Sequence, residues 1–514
     1  MQPTLATLPI LIILILMVGY RWGAARSGAA GYLAAMVLSL AFFGANAEVL
    51  AYAHVRAILL TFDVLFIVWA AYLLYRVSDE AGAITVIGDA LRQLTDDKGM
   101  QAILIGWIFA SFLQGTGGFG VPVAVTAPLL IGLGFSPLSA VVIPTIGHGW
   151  AVTFGSLGSS FNALISATGL EASYLAPTAA AFLGLAALPV GLMVVHAADG
   201  WGAVKRLGWK VLVIGIVMGG TQYFVAAKLG LWNIGAFAGG LAGLLVGVPI
   251  AYLDETQPNT GAKTERKTLF IALSAYLVLI LFTVGILLIL PAFAPEFRET
   301  LKQIAIKISF PETVTSLGYV ASEETSKPIA ILIHAGAILL YAALAAFVIY
   351  KRAGLYAIGT GKKILSDTAR KMITSSLSIA LTVAMSVVMQ QSGMTEALAQ
   401  GLANAFGRAF PLMAAWIGAV GAFMTGSNTD SNVVFAALQM RTAELLTYSV
   451  PIILAAQTAG AALASVFAPM KLVVGTSTAG LEGQEGLVLR AVIGYGSGLV
   501  FFISLLTGLS ILFS

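Results

Sequence analysis

Two short stretches carry more polar and glycine residues than their apolar surroundings explain. The first is Gln114-Gly-Thr-Gly-Gly-Phe-Gly-Val-Pro122 and the second is Phe423-Met-Thr-Gly-Ser-Asn-Thr-Asp-Ser-Asn432. A dinucleotide-binding reading of the first fails, because that fingerprint needs a preceding strand and a βαβ unit. Glycines at Gly115, Gly117, Gly118 and Gly120, beside Thr116, would instead let a small anion approach free backbone N–H groups, with a helix start adding a favourable dipole. The alternative is glycine packing between helices. In the second stretch Ser427, Asn428, Thr429 and Ser431 are polar groups whose burial without partners costs several kcal/mol.

Asp430 stands out there, since a carboxylate near mid-membrane costs about 2.5–3.5 kcal/mol even on the lenient insertion scale and must pair or titrate. A helix N-cap is its alternative role. Two apolar runs are interrupted, at Pro144-Thr-Ile-Gly-His-Gly149 and Gln457-Thr-Ala-Gly460, and both read as helices with an unwound middle. Thr145, His148, Gln457 and Thr458 therefore join the candidates. A histidine inside a membrane helix can carry a proton near neutral pH, or simply bond a helix carbonyl. Asp63, within the apolar run Leu59 to Trp69, is a third candidate proton carrier besides Asp430 and His148. Lys471 and Arg441 are candidate counter-charges for an anion, or snorkelling interface residues.

These residues need a scaffold, and composition says what kind. The 514 residues are 59% hydrophobic and 10% charged, against roughly 45–50% and 25% in soluble domains. Mean hydropathy is +0.95, which excludes a disordered or coiled-coil chain. With 27 basic and 23 acidic side chains the net charge is +4, a loop bias rather than a nucleic-acid surface. There is no cysteine and there are four scattered histidines, so thiol chemistry and a Cys-based metal site are excluded, and no cofactor is expected. No Walker A, H-E-x-x-H or G-x-S-x-G sequence occurs, so neither ATP-driven transport nor an enzyme is expected.

Apolar runs at 4–20, 28–45, 57–75, 172–196, 209–227, 232–252, 268–292, 328–350, 373–391 and 487–513 predict spanning helices, with interrupted runs at 137–154 and 448–466. Arg21 and Arg26 after an uncharged beginning place the amino terminus outside. The connections at 76–98, 199–210, 253–267 and 351–371 then fall inside, the last carrying Lys351, Arg352, Lys362, Lys363, Arg370 and Lys371 against Asp367, while those at 46–56 and 293–327 fall outside. The stretches around 100–135 and 410–445 must enter and leave on one side, as re-entrant hairpins. Adding 311 maps Gly82 onto Gly393, Phe112 onto Phe423, Gly115 onto Gly426 and Gly149 onto Gly460, and the charge count inverts the two units relative to each other. Inverted repeats with broken helices are the plan of secondary transporters. The offset also superposes Thr145 and His148 on the Gln457 neighbourhood, so the two breaks are expected to face each other.

Gly117-Gly-Phe-Gly-Val-Pro-Val-Ala-Val-Thr-Ala127 followed by Leu129 to Phe135, Thr425 to Asn432 followed by Phe435, and Gln457-Thr-Ala-Gly460 together resemble the bacterial L-lactate permease family, which includes glycolate permeases. The resemblance covers nearly the whole chain. It implies proton-coupled uptake of small 2-hydroxy monocarboxylates by a multi-pass inner-membrane carrier. Ser427-Asn-Thr429 is also similar to the hairpin tips of the wider ion-transporter superfamily, whose members use an elevator motion. The expectation is thus an all-α polytopic membrane protein with about 12 transmembrane helices plus two re-entrant hairpins in inverted repeats: residues 1–55 as amino-terminal helices, 56–198 as repeat 1, 199–372 as linking scaffold and 373–514 as repeat 2. Hairpin-tip N–H groups with Thr116, Ser427, Asn428 and Thr429 are expected to hold the carboxylate, and Gln457 and Thr145 to address the hydroxyl. The partners are then a small carboxylate, a proton and the lipid bilayer, with no nucleic acid, in a monomer or homodimer. A sodium-coupled carrier of sulfate or a short dicarboxylate is the alternative, and an anion channel a further one.

Overall fold

The computed structural model of the chain describes residues 2–513 except 17–19, 21, 119, 255–264, 327 and 482–483. Arg21 and most of the 253–267 connection thus lie outside the described residues. Among those described, eleven helices are long and apolar enough to cross a membrane. The first expected span is a shorter helix, Gln2–Leu14. The others lie where hydropathy puts them, some longer than expected: Ala47–Glu80 has 34 residues and Thr360–Gln391 has 32. The helix Ala172–Tyr223 bends at Asp199 and Gly200, whose φ of 71° needs glycine.

The same order of elements occurs twice, near the spacing of 311. Ala47–Glu80, the amphipathic Ala83–Arg92, arms Lys98–Thr116 and Val121–Gly132, and the broken Pro137–Thr168 form the first series. Thr360–Gln391, Met394–Phe406, arms Phe410–Thr425 and Asn428–Leu445, and Val450–Ser465 with Pro469–Thr478 form the second. Gly82 (φ 69°) and Gly393 (φ 80°) perform the same left-handed turn into the amphipathic helix of each series.

Each hairpin is closed at its base. Lys98 Nζ donates to the carbonyl of Leu133, and Arg92 Nη2 donates to Gly132 O at 3.2 Å. In the second hairpin Gln439 Nε2 of the return arm donates to Ala414 O of the first arm at 2.9 Å, and Arg441 ties the return arm to Glu396 of the preceding helix. Chain therefore enters and leaves each hairpin at one end. A 12-residue return arm, about 18 Å long, could not cross the roughly 30 Å hydrocarbon layer in any case. Polar contacts mark both ends of the long helix Ala47–Glu80 and the approach to the first hairpin. Its Glu80 end meets Lys363, its Arg76 meets Asp367 at 2.8 Å, and Asp97 before the first hairpin meets Arg206 at 2.6 Å. Its Asn46 end meets the ribbon described next, which also packs Tyr319 against Gly393 before the second hairpin.

That ribbon is a local exception in an otherwise helical chain. Residues 305–330 form one antiparallel β-hairpin of three successive two-residue pairs, Ala305↔Ala330, Ser309↔Thr325 and Thr313↔Ala321 being one residue pair of each. Its turn is closed by Thr315 N to Tyr319 O at 2.9 Å. Ile306, Thr313, Val314, Val320 and Thr325 are β-branched residues that suit short strands. For the same reason the expected span at 328–350 starts only at Ala335.

The broken helices also differ from expectation. The first is helical over Pro137–Gly147, irregular through residue 158, and helical again over Ser159–Thr168. In the second, Gln457 and Gly460 lie inside an unbroken helix, and the interruption falls at 466–468. Gly460 is there for packing. A Cβ on it would run into the carbonyl oxygen of Ala415, and one on Gly418 into that of Gln457; in the first series a Cβ on Gly147 would run into the carbonyl oxygen of Gly106. Each hairpin's first arm thus lies backbone to backbone against the helix that follows it.

Gly147→Ala and Gly460→Ala are each expected to destabilise the protein by about 1–3 kcal/mol or more, because no flexible side chain can yield. Gly202→Ala, with open space around it, should leave stability unchanged or raise it by up to about 1 kcal/mol. Thermal unfolding midpoints of the detergent-solubilised variants check both outcomes.

Candidate functional site

The second hairpin turns at Thr425–Asn428. Gly426 takes φ 72°, and Ser427 caps the returning arm by accepting the N–H of Asp430 at 3.2 Å. The capping role therefore belongs to Ser427, while Asp430 sits in the first turn, where the helix dipole favours a negative charge. Thr425 Oγ1 donates to Gly421 O at 2.9 Å.

From this turn a buried polar cluster extends across four elements. Asn428 Nδ2 donates to Thr153 Oγ1 at 3.0 Å, and Thr429 Oγ1 lies 3.0 Å from Ser160 Oγ. Asn432 Nδ2 donates to Ser160 O and to Thr458 Oγ1, both at 2.9 Å. Thr458 is also 3.2 Å from Thr153 Oγ1. Gln457 Nε2 donates to Ser431 Oγ at 3.1 Å and its Oε1 accepts from Gln439, whose Nε2 also donates to Ala414 O at 2.9 Å. Ser378 Oγ is 3.5 Å from Asp430 Oδ2. All these side chains are buried.

The cluster is unbalanced. Asn428 Oδ1, Asp430 Oδ1, Asn432 Oδ1 and Gln439 Oε1 have no hydrogen-bond partner among the described residues. Four unpaired acceptor oxygens in a water-poor interior each carry a desolvation cost of about 1–3 kcal/mol until a donor arrives. A ligand hydroxyl or a proton is such a donor, and either asparagine can turn its amide to present N–H groups to a carboxylate instead.

Asn428, Thr429, Asp430, Ser431, Gln457 and Thr458 are therefore brought together as the sequence suggests. Thr153, Ser160, Ser378, Asn432 and Gln439 complete the cluster and were not singled out. The signal for Ser160 was present in Gly155-Ser-Leu-Gly-Ser-Ser160, a polar run as unusual as the hairpin tips. Ser156 and Leu157 in that run have φ of 46° and 53°, strained values for residues with a Cβ.

The first hairpin is organised differently. Gly115 abuts the backbone of Phe237, which is the packing role. Thr116 Oγ1 donates to Leu113 O at 3.2 Å, the Gly117 amide donates to the same carbonyl at 2.8 Å, and the Gly118 amide donates to Ser156 Oγ at 2.8 Å. These N–H groups are taken, and Gly120 supplies the φ of 89° that starts the return arm. Phe119 lies outside the described residues. Thr145 Oγ1 and His148 Nδ1 bond carbonyls of their own helix, Val141 O at 2.7 Å and Pro144 O at 2.6 Å, leaving His148 Nε2 without a partner. The break beside His148 faces the carboxy-terminal end of Val450–Ser465 and the start of the second interruption, since a Cβ on Gly149 would meet Leu463 and Val466. Arg441 is committed to Glu396 and Glu444, whereas Lys471 has only Ser465 Oγ at 3.1 Å among the described contacts.

Asp63 stands apart from the cluster. It lines a cavity of about 420 Å³ beneath the ribbon, together with His334, Ser166, Gln390 and Met440. The floor of this cavity is the second hairpin's return arm, the arm that carries Asn432. No group of three or more potential metal ligands occurs among the described residues.

The family described as L-lactate permease matches residues 3–513. The L-lactate permease of Escherichia coli strain K12 is 27% identical over 83% of this chain and 80% of its own length. The glycolate permease GlcA of the same strain is 26% identical over the same shares. A putative L-lactate permease of Haemophilus influenzae is 28% identical over 95% and 94%. Among solved structures, the Alcanivorax borkumensis YdaH transporter superposes with a TM-score of 0.52 at 17% identity, over 91% of this chain and 90% of that one. At that identity the likeness concerns the fold.

Asn432→Ala removes two donors at once and strands Ser160 O. The expected cost is about 1–3 kcal/mol, against less than about 0.5 kcal/mol for the exposed Ser477→Ala. Unfolding of the two variants in the same detergent makes the comparison.

Proposed function

The chain belongs to the L-lactate permease family, and from that membership and the buried cluster we propose that this multi-pass membrane protein carries L-lactate and related 2-hydroxy monocarboxylates such as glycolate, in symport with protons, across the cytoplasmic membrane. The observation that carries the proposal is the polar cluster of Asn428, Thr429, Asp430, Asn432, Gln457 and Thr458, which leaves acceptors unpaired inside an apolar protein. A substrate hydroxyl is the donor those acceptors lack. Asn428 and Asn432 are proposed to take it, while Gln457, engaged by Ser431 and Gln439, holds the hairpin tip. The carboxylate falls to the hydroxyls of Ser427, Thr429 and Thr458 and to the amino-terminal end of Asn428–Leu445.

Inverted repeats are part of this reading. They are supported by the twofold succession of elements and by the matching left-handed turns at Gly82 and Gly393. An elevator-like motion is supported by the packing of each hairpin against its following helix. It would carry the cluster from one side to the other, past the helices Ala47–Glu80 and Thr360–Gln391.

Symport of one proton with one lactate anion moves no net charge, so the pH gradient alone drives it. Each pH unit supplies about 1.4 kcal/mol, or about tenfold accumulation. Proteoliposomes given labelled L-lactate should therefore accumulate it, saturably, when the exterior is acid. Uptake indifferent to an acid exterior removes proton coupling, a sodium requirement replaces it, and a flux that neither saturates nor accumulates points to a channel. Asn428→Ala is expected to narrow the preference for lactate over propionate several-fold, about the worth of one hydrogen bond. Competition of the two acids for uptake measures it.

A further inference from the structure

The charged and titratable groups lining the cavity beneath the ribbon are Arg56, Asp63, Glu171, Glu324 and His334 among the described residues. Arg56 is held by Glu324 of the ribbon and lies 4.4 Å over the ring of Phe310. Asp63 has a different environment. Its Oδ1 is 2.9 Å from His334 Nε2, and its Oδ2 accepts from Ser166 Oγ at 2.9 Å. His334 Nδ1 accepts the N–H of Gly336 at 3.2 Å and so caps the helix Ala335–Arg352. The ring also stacks on Phe66, with centroids 5.1 Å apart and planes 4° from parallel.

These contacts fix where protons sit. Because Nδ1 is occupied as an acceptor, the neutral ring carries its hydrogen on Nε2 and donates it to Asp63. A further proton on Nδ1 would oppose the Gly336 N–H and destroy the cap. Asp63 Oδ2 is the position free to take one. When it does, the Ser166 hydroxyl reverses from donor to acceptor and its own hydrogen must turn elsewhere.

We propose that Asp63 is the site at which the external proton is loaded, that His334 is its positioning residue, and that Ser166 passes the protonation state to the buried cluster through the half-helix Ser159–Thr168. The assignment rests on the proton-coupled reading above. Ser166 and Ser160 lie on one rigid half-helix, six residues or about 9 Å apart along its axis. Ser160 meets Thr429 and Asn432. The half-helix is bounded by Gly158 at φ 77° and Gly169 at φ 71°, so it can shift as a unit. Asp430, by contrast, lines neither described cavity and sits within the cluster itself. The proton arrives from water on Asp63 Oδ2 and leaves from the same oxygen; no bond other than O–H forms or breaks.

Two measurements test this. In proteoliposomes, D63N should reduce accumulation from about tenfold per pH unit to none, while lactate exchange at equal pH continues at a reduced rate. D63E should restore accumulation, and S166A should displace the pH midpoint of uptake. D430N should weaken apparent affinity but keep the pH dependence of the remaining uptake. Accumulation by D63N at the wild-type level overturns the assignment, as does loss of coupling in D430N alone. Absence of pH-driven accumulation in the wild type is a failure of the transport reading instead. Infrared difference spectra of the purified protein between neutral and acid pH then decide the proton site on their own: the protonated-carboxyl band should be lost in D63N and shifted in S166A, and its persistence in D63N refutes the proposal.

Discussion

Backbone that leaves the helix inside a bilayer must find every hydrogen-bond partner within protein, because hydrocarbon offers none. The rest of this structure depends on that constraint. Both hairpin tips and the break at residues 148–158 lie where other helices surround them, and the arm Lys98–Thr116 is buried throughout its apolar window. The break supplies Ser156 to the Gly118 amide and Thr153 to Asn428, so one irregular segment satisfies both tips. Strain at Ser156 and Leu157 accompanies that double service.

The two tips divide the work unequally. The first spends its amides on Ser156 and on its own helix, which makes it a structural joint. The second keeps unpaired acceptors around Asn428, Asp430 and Asn432. Asp63 lies in a separate cavity, where Ser166 of the half-helix Ser159–Thr168 meets it, while Ser160 of the same half-helix meets Thr429. The two carboxylates thus have different settings: Asp430 lies within the buried cluster of amides and hydroxyls, whereas Asp63 lines a cavity beside His334 and Ser166.

The sequence made the membrane architecture legible because charge and hydropathy are read by the bilayer residue by residue. Lys98 and Arg92 hold the first hairpin's base, and Arg441, read in the sequence as a counter-charge, instead pairs with Glu396. Glycine was less legible, since the same residue serves to unwind, to turn and to pack: Gly460 suggested an interrupted helix and instead admits the Ala415 carbonyl. The ribbon escaped because strands of two residues have no period to detect. Ser378 and Gln439 escaped because a single polar residue on a long helix has no local signature, its meaning being set by what faces it from elsewhere in the chain.

The glycine seams at Gly106 and Gly147, and at Gly418 and Gly460, place main chain directly against main chain. A seam of this kind has no rotamers, so it cannot be loosened by repacking and cannot slip by small degrees. Whatever compliance the protein possesses must reside where side chains interdigitate, along the long helices Ala47–Glu80 and Thr360–Gln391. The molecule is divided by its smallest residues into parts that hold their shape and boundaries that can be renegotiated.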